Sequence, residues 1–105
     1  MKRITAKQLH EWREKHIPHQ LIDIREEHEL AVSTIGGKHI PMDQVIASVS
    51  LLSDDLPVII MCNSGKRSAA VVHSLEKKFN MKNLYSLQGG IAAWIEEVDH
   101  SIVRH

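Results

Sequence analysis

Apolar positions along the chain fall into short blocks whose spacing alternates between a helical rhythm and consecutive runs. Thr5, with Gln8 three residues later, resembles a capping box, and Leu9 and Trp12 follow at helical spacing. This predicts a first helix from about Ala6 to Lys15, which Pro18 keeps from continuing. Leu21 to Ile24 then reads as a strand, Glu26 to Val32 as a short helix, and Gly36-Gly37 as a turn. Lys38 to Ile40 is predicted as a short strand closed by Pro41. Asp43 is placed to cap a further helix, in which Val45, Val49 and Leu52 recur at spacings of four and three before Asp54-Asp55 break it.

The second half is more strongly patterned. Pro57 to Met61 is apolar almost throughout, which suits a strand buried on both faces, as in a parallel sheet covered by helices. Ser68 to Phe79 reads as a helix with Ala69, Val72, Leu75 and Phe79 near one face, and Asn80 is a good residue to end it. Leu84 to Leu87 is a further strand, Gly89-Gly90 turns the chain, and Ile91, Trp94, Ile95 and Val98 form the stripe of a last helix. Strands alternating with helices predict a three-layer α/β/α domain. The pattern leaves the order of strands open.

Composition narrows the function. In 105 residues, 43% are apolar and 25% charged, the balance of a globular protein with a single core, and one domain is expected over residues 1–105. Thirteen basic residues balance 13 acidic ones, so no long-range field points to nucleic acid or an anionic membrane. The basic start, MKRITAKQLHEW, has no apolar stretch after it and is not a secretory signal, and the longest apolar run is too short to cross a bilayer. A soluble, cytoplasmic protein is expected. With one cysteine, an intrachain disulfide and a CxxC motif are both excluded.

That cysteine stands in the segment with the most chemistry. Cys62-Asn63-Ser64-Gly65-Lys66-Arg67-Ser68 joins the most apolar strand to a strong helix, at the carboxyl end where open α/β sheets place ligands. The amino end of the next helix favours an anion, Lys66 and Arg67 add two positive charges, and Gly65 permits a turn that aims several N–H groups inward. Each feature favours thiolate over thiol. A cysteine that only packs as a small hydrophobe is the plain alternative. It leaves the adjacent glycine and cations without a reason.

Other candidates are weaker. Asp23 and Arg25, at a strand end, are expected to brace neighbouring loops by charge-assisted hydrogen bonds rather than to react. Of eight histidines, His16 and His19 are the closest pair, but Pro18 lies between them and no carboxylate or cysteine cluster joins them, so no metal is expected. Trp12 and Trp94 are expected in the core, with Glu26-Glu27 and Glu96-Glu97 on solvated helix surface. Gly89-Gly90 lacks the setting of a dinucleotide site.

Four landmarks in order carry a resemblance that spans about residues 4–98. Cys62-x-x-Gly65-x-Arg67-Ser68 resembles the active-site loop of the rhodanese family. Leu21-Ile22-Asp23-Ile24-Arg25-Glu26 is similar to its early strand, His39-Ile40-Pro41 to its His-Ile-Pro element, and Leu87-Gln88-Gly89-Gly90-Ile91-Ala92-Ala93-Trp94 to its closing Gly-Gly-x-x-x-Trp signature. The resemblance implies a five-stranded parallel sheet between helices. It also implies that Cys62 takes a sulfane sulfur from thiosulfate or a persulfide-bearing protein. Backbone N–H groups of Asn63, Ser64, Gly65, Lys66 and Arg67 would hold the outer sulfur, with Ser68 in support. A thiol, a sulfur-carrier protein or cyanide would accept it in a two-step covalent cycle that needs no cofactor.

Departures qualify this picture. Many family members carry a basic residue where this chain has Asn63, which implies weaker thiosulfate binding. Met42-Asp43 replaces the usual small pair after His-Ile-Pro. The stretch from Leu30 to Lys38 is longer than in compact members, and looks more like rhodanese-like domains attached to ubiquitin-activating-type enzymes. Two rivals follow from the fold. Cysteine phosphatases and arsenate reductases need five residues between cysteine and arginine, whereas four separate Cys62 from Arg67. A docking module without turnover is the other.

Overall fold

A computed structural model describes residues 1–101, so the last four positions of the expected domain lie outside the described residues. Five strands form one parallel sheet: β1 (Lys2–Ile4), β2 (Gln20–Asp23), β3 (Lys38–His39), β4 (Val58–Met61) and β5 (Leu84–Leu87). Four helices accompany them: α1 (Ala6–Glu14), α2 (Glu27–Val32), α3 (Lys66–Phe79) and α4 (Gly90–Glu97). The strand order is β1-β5-β4-β2-β3. The chain steps outward from β2 to the edge strand β3, then returns to lay β4 on the other side of β2. That reversal puts the carboxyl end of β4 in the middle of the sheet, where α/β folds bind ligands.

β4 shows why a consecutive apolar run was required. Val58, Ile60 and Cys62 point into the cluster beneath α3, with Ile22, Val72 and Leu75. Ile59 and Met61 point the other way, into the cluster with Leu9 of α1 and Ile91 and Trp94 of α4. All five β4-line residues are fully buried. Each such aliphatic side chain contributes about 1.5–3 kcal/mol relative to an exposed one, so the central strand anchors both layers.

Local signals set most boundaries. The Thr5 hydroxyl accepts the Gln8 N–H and the Gln8 side chain accepts the Thr5 N–H, completing the capping box. α3 ends at Asn80, which adopts φ 54°. α3 also starts two residues before Ser68, because Gly65 supplies a left-handed cap at φ 95°.

Three expectations are corrected. β1 was missing from the pattern: only Ile4 of its three residues is buried, and its pairing with β5 is what makes it a strand. The helix expected from Asp43 to Leu52 is instead two 3₁₀ turns, Met42–Gln44 and Val49–Leu51. Neither has a side-chain cap, and Val45, Ile46 and Val49 are poor helix formers, so packing of Val45 and Leu52 into the core decided the path. Phe79 is exposed rather than on the buried face of α3, whose inner residues are Ser68, Val71, Val72 and Leu75.

Candidate active site

At Cys62 the chain leaves the sheet, and three sets of hydrogen bonds fix how it does so. The Cys62 carbonyl accepts the Ile91 N–H at 2.9 Å, and the Asn63 carbonyl accepts the Ala92 N–H at 3.1 Å. These are amides of the first turn of α4, which have no partner within their own helix. The Cys62 sulfur serves the other helix. Sγ accepts the Gly65 N–H at 3.0 Å and the Ser68 N–H, from the first turn of α3, at 3.4 Å. The loop therefore caps α4 with its carbonyls and α3 with its sulfur.

Glycine is needed at two of these contacts. A Cβ on Gly90 would lie 2.3 Å from the Cys62 carbonyl oxygen and 2.5 Å from that of Asn63, and the residue has φ 60°. A Cβ on Gly65 would press on the Gly89 nitrogen at 3.1 Å and the Leu87 carbonyl at 3.2 Å, again at positive φ. The Gly89-Gly90 turn is thus part of the cysteine loop in space.

Ser68 is buried, and its hydroxyl donates to the Gly65 carbonyl at 3.1 Å while sharing a 2.7 Å hydrogen bond with Ser86 of β5. Asn63, Ser64 and Lys66 are exposed, and Gly65 and Arg67 are half-buried. Cys62 itself has no exposed surface.

Asp23 and Arg25 lie beside the loop without entering it. Asp23 pairs with Met61 in register. Its carboxylate accepts the Arg25 Nη2 at 2.8 Å, the Arg25 Nε at 3.0 Å and the Arg25 backbone N–H at 3.0 Å. Arg25 also donates to the Ser33 carbonyl at 2.8 Å, and His39 donates to the Arg25 carbonyl at 2.6 Å. Both charges are buried, and among the described residues no fully buried side-chain nitrogen or oxygen lacks a hydrogen-bond partner, as a buried pair requires. The pair ties the end of β2 to α2 and β3. Among the described residues, no group of three or more histidine, cysteine or carboxylate side chains could hold a metal ion.

One residue of the site is missed by the sequence reading. Glu29 of α2 receives a two-pronged contact from Arg67, Nη1 to Oε2 at 3.0 Å and Nη2 to Oε1 at 2.8 Å. Arg67 thus spends its guanidinium on a carboxylate 38 residues away. The Arg67 hydrogen bonds hold the Glu29 carboxyl at a pKa of about 2, helped by the Glu26 backbone N–H, and Glu29 in turn raises Arg67 above its ordinary value. A capping-box spacing from Glu26 to Glu29 was the only available hint, since the Glu26 N–H also donates to Glu29 at 2.7 Å.

A parallel sheet that delivers one cysteine into a loop between two helix amino ends defines the class of protein. Residues 5–97 match the Rhodanese-like domain family, and the chain belongs to it. A rhodanese-related protein from Thermoplasma volcanium has the same fold, with a TM-score of 0.82 and 30% identity over 93% of this chain and 94% of its own. The adenylyltransferase and sulfurtransferase MOCS3 of Drosophila willistoni is 30% identical over 78% of this chain. The probable adenylyltransferase/sulfurtransferase MoeZ of Mycobacterium tuberculosis is 29% identical over 97% of it. The chain spans 20% and 26% of the lengths of those two relatives.

Two outcomes are expected from this geometry. Gly90→Ala should separate α4 from the loop, lowering the unfolding free energy read from urea titration by about 1–3 kcal/mol and making Cys62 much more reactive toward iodoacetamide. Unchanged thiol protection would show that α4 does not hold the loop. The second concerns acid. Because Glu29 ionises at a lower pH folded than its ordinary value near 4.5, it stabilises the fold fully above about pH 5, and that contribution fades as pH falls toward 2. Glu29 and Arg67 remain 24% and 36% exposed, so water screening reduces the effect to about 1 kcal/mol. Urea titrations of wild type and Glu29→Gln should differ by that amount near neutrality and converge by about pH 2. A pH-independent gap would mean that the ion pair is not its source.

Proposed function

We propose that the protein is a sulfurtransferase in which Cys62 carries sulfane sulfur as a persulfide. The observation that carries this reading is the sulfur's position: Sγ faces the Gly65 and Ser68 N–H groups at the end of the central strand. Such donors stabilise negative charge on sulfur without offering a proton to lose. Membership of the rhodanese-like family, and relatives named as sulfurtransferases, support it.

In the first half-reaction the Cys62 thiolate attacks the outer sulfur of the donor. A Cys62–sulfur bond forms and the donor's S–S bond breaks, its electron pair leaving with sulfite when thiosulfate is used, or with a thiolate when the donor is a protein persulfide. An acceptor thiol, sulfur-carrier protein or cyanide then attacks that outer sulfur and releases the Cys62 thiolate. Asn63, Ser64, Gly65, Lys66 and Arg67 form the proposed rim, with Ser68, Asp23 and Arg25 in support. One reduced cysteine without a resolving partner suits the cytoplasm. Among the described residues no helix is long and apolar enough to cross a membrane.

The complete burial of Cys62 favours a second reading, a docking module without turnover. Under the first reading, the exposed lip at Asn63, Ser64 and Lys66 has to move aside for donor and acceptor. Mass spectrometry separates the two. Incubation with thiosulfate or a protein persulfide should add one cyanide-labile sulfur to the wild type and none to Cys62→Ser, and neither protein should hydrolyse aryl phosphates. Failure of the wild type to load from either donor would favour docking. Aryl phosphate hydrolysis abolished by Cys62→Ser would favour a phosphatase.

A further inference from the structure

Of the two cations in the cysteine loop, only Lys66 lacks an ion-pair partner among the described residues. Arg67 is engaged by both oxygens of Glu29. Two positive charges less one carboxylate leave a single net positive charge at the rim, where the sequence displays two adjacent cations. Asn63 and Ser64 add none. Glu29 is held on α2 by its contact with the Glu26 N–H, so the carboxylate is anchored independently of the loop.

We infer that Glu29 is a specificity-determining residue, which neutralises Arg67 at the rim and biases the site toward sulfur donors of low charge over dianionic ones. This inference rests on the sulfur-transfer reading. For an assumed separation of about 8 Å in a water-like medium, removing one negative charge strengthens attraction by a little over twofold for each unit of donor charge. A monoanion therefore gains about twofold and a dianion about fivefold, and salt shrinks both. Arg67 holds the Glu29 carboxyl well below the usual carboxylate range, so the opposing charge is present near neutral pH.

Two donors of different charge test this, both read as sulfur loading on Cys62 by mass spectrometry. Thiosulfate carries two negative charges and leaves as sulfite; methanethiosulfonate carries one and leaves as methanesulfinate. Taking the ratio of their loading rates within each protein cancels any common change in access to the buried sulfur. Glu29→Gln, which keeps a hydrogen-bonding partner for Arg67, should raise the thiosulfate rate about fivefold and the methanethiosulfonate rate about twofold. Lys66→Gln, on an exposed side chain, should shift the ratio about as far in the opposite direction, and serves if Glu29→Gln folds poorly. Added salt should bring all three proteins together. A ratio unchanged in Glu29→Gln, whether or not Lys66→Gln shifts it, overturns the inference alone. Loading of the wild type from neither donor overturns it together with the sulfur-transfer reading.

Discussion

Two helix amino ends converge on one short loop, and both must be satisfied by it. A helix leaves its first amides unpartnered, and burying them unpaired costs free energy comparable to lost hydrogen bonds. Here the Cys62 and Asn63 carbonyls take amides of α4 and the Cys62 sulfur takes one of α3. The same contacts that complete the helices therefore fix the direction of the sulfur. Gly90 permits the approach of α4 and Gly65 permits the turn into α3. Stability of the loop and presentation of the cysteine are one problem with one solution.

Electrostatics in this region is divided between two ion pairs of different kinds. Asp23 and Arg25 are almost wholly buried, hydrogen-bonded to each other, and fix the loops beyond β2. Glu29 and Arg67 remain in contact with water and sit on the rim. The buried pair sets shape, while the rim pair sets local charge. A chain with zero formal net charge thus has its electrostatic character at the site determined by the placement of three or four side chains rather than by an overall field.

Much of this was legible in the chain. The apolar run before Cys62 announced a strand buried on both faces, and the glycine and cations after it announced a loop with a chemical purpose. Helix ends marked by Thr5 and Asn80 were legible because capping is local. What was not legible depended on contacts across the fold. β1 has one buried residue and exists through its pairing with β5. The segment from Met42 to Leu52 carries a helical rhythm, but weak propensity let tertiary packing break it into two turns. Arg67 reads as a free cation until Glu29 is brought to it, and Gly90 reads as a turn until it is seen against Cys62.

If the Gly65 and Ser68 amides hold sulfur on Cys62, as we propose, an amide spectrum reports on them directly. In a two-dimensional ¹H–¹⁵N spectrum of the protein loaded from one equivalent of donor, the Gly65 and Ser68 resonances should move strongly. Those of Gln20 and Val58, at the opposite ends of their strands, should stay in place, and cyanide should restore the original spectrum. Sulfur loaded on Cys62 with the Gly65 and Ser68 resonances unmoved would show that these amides do not hold it.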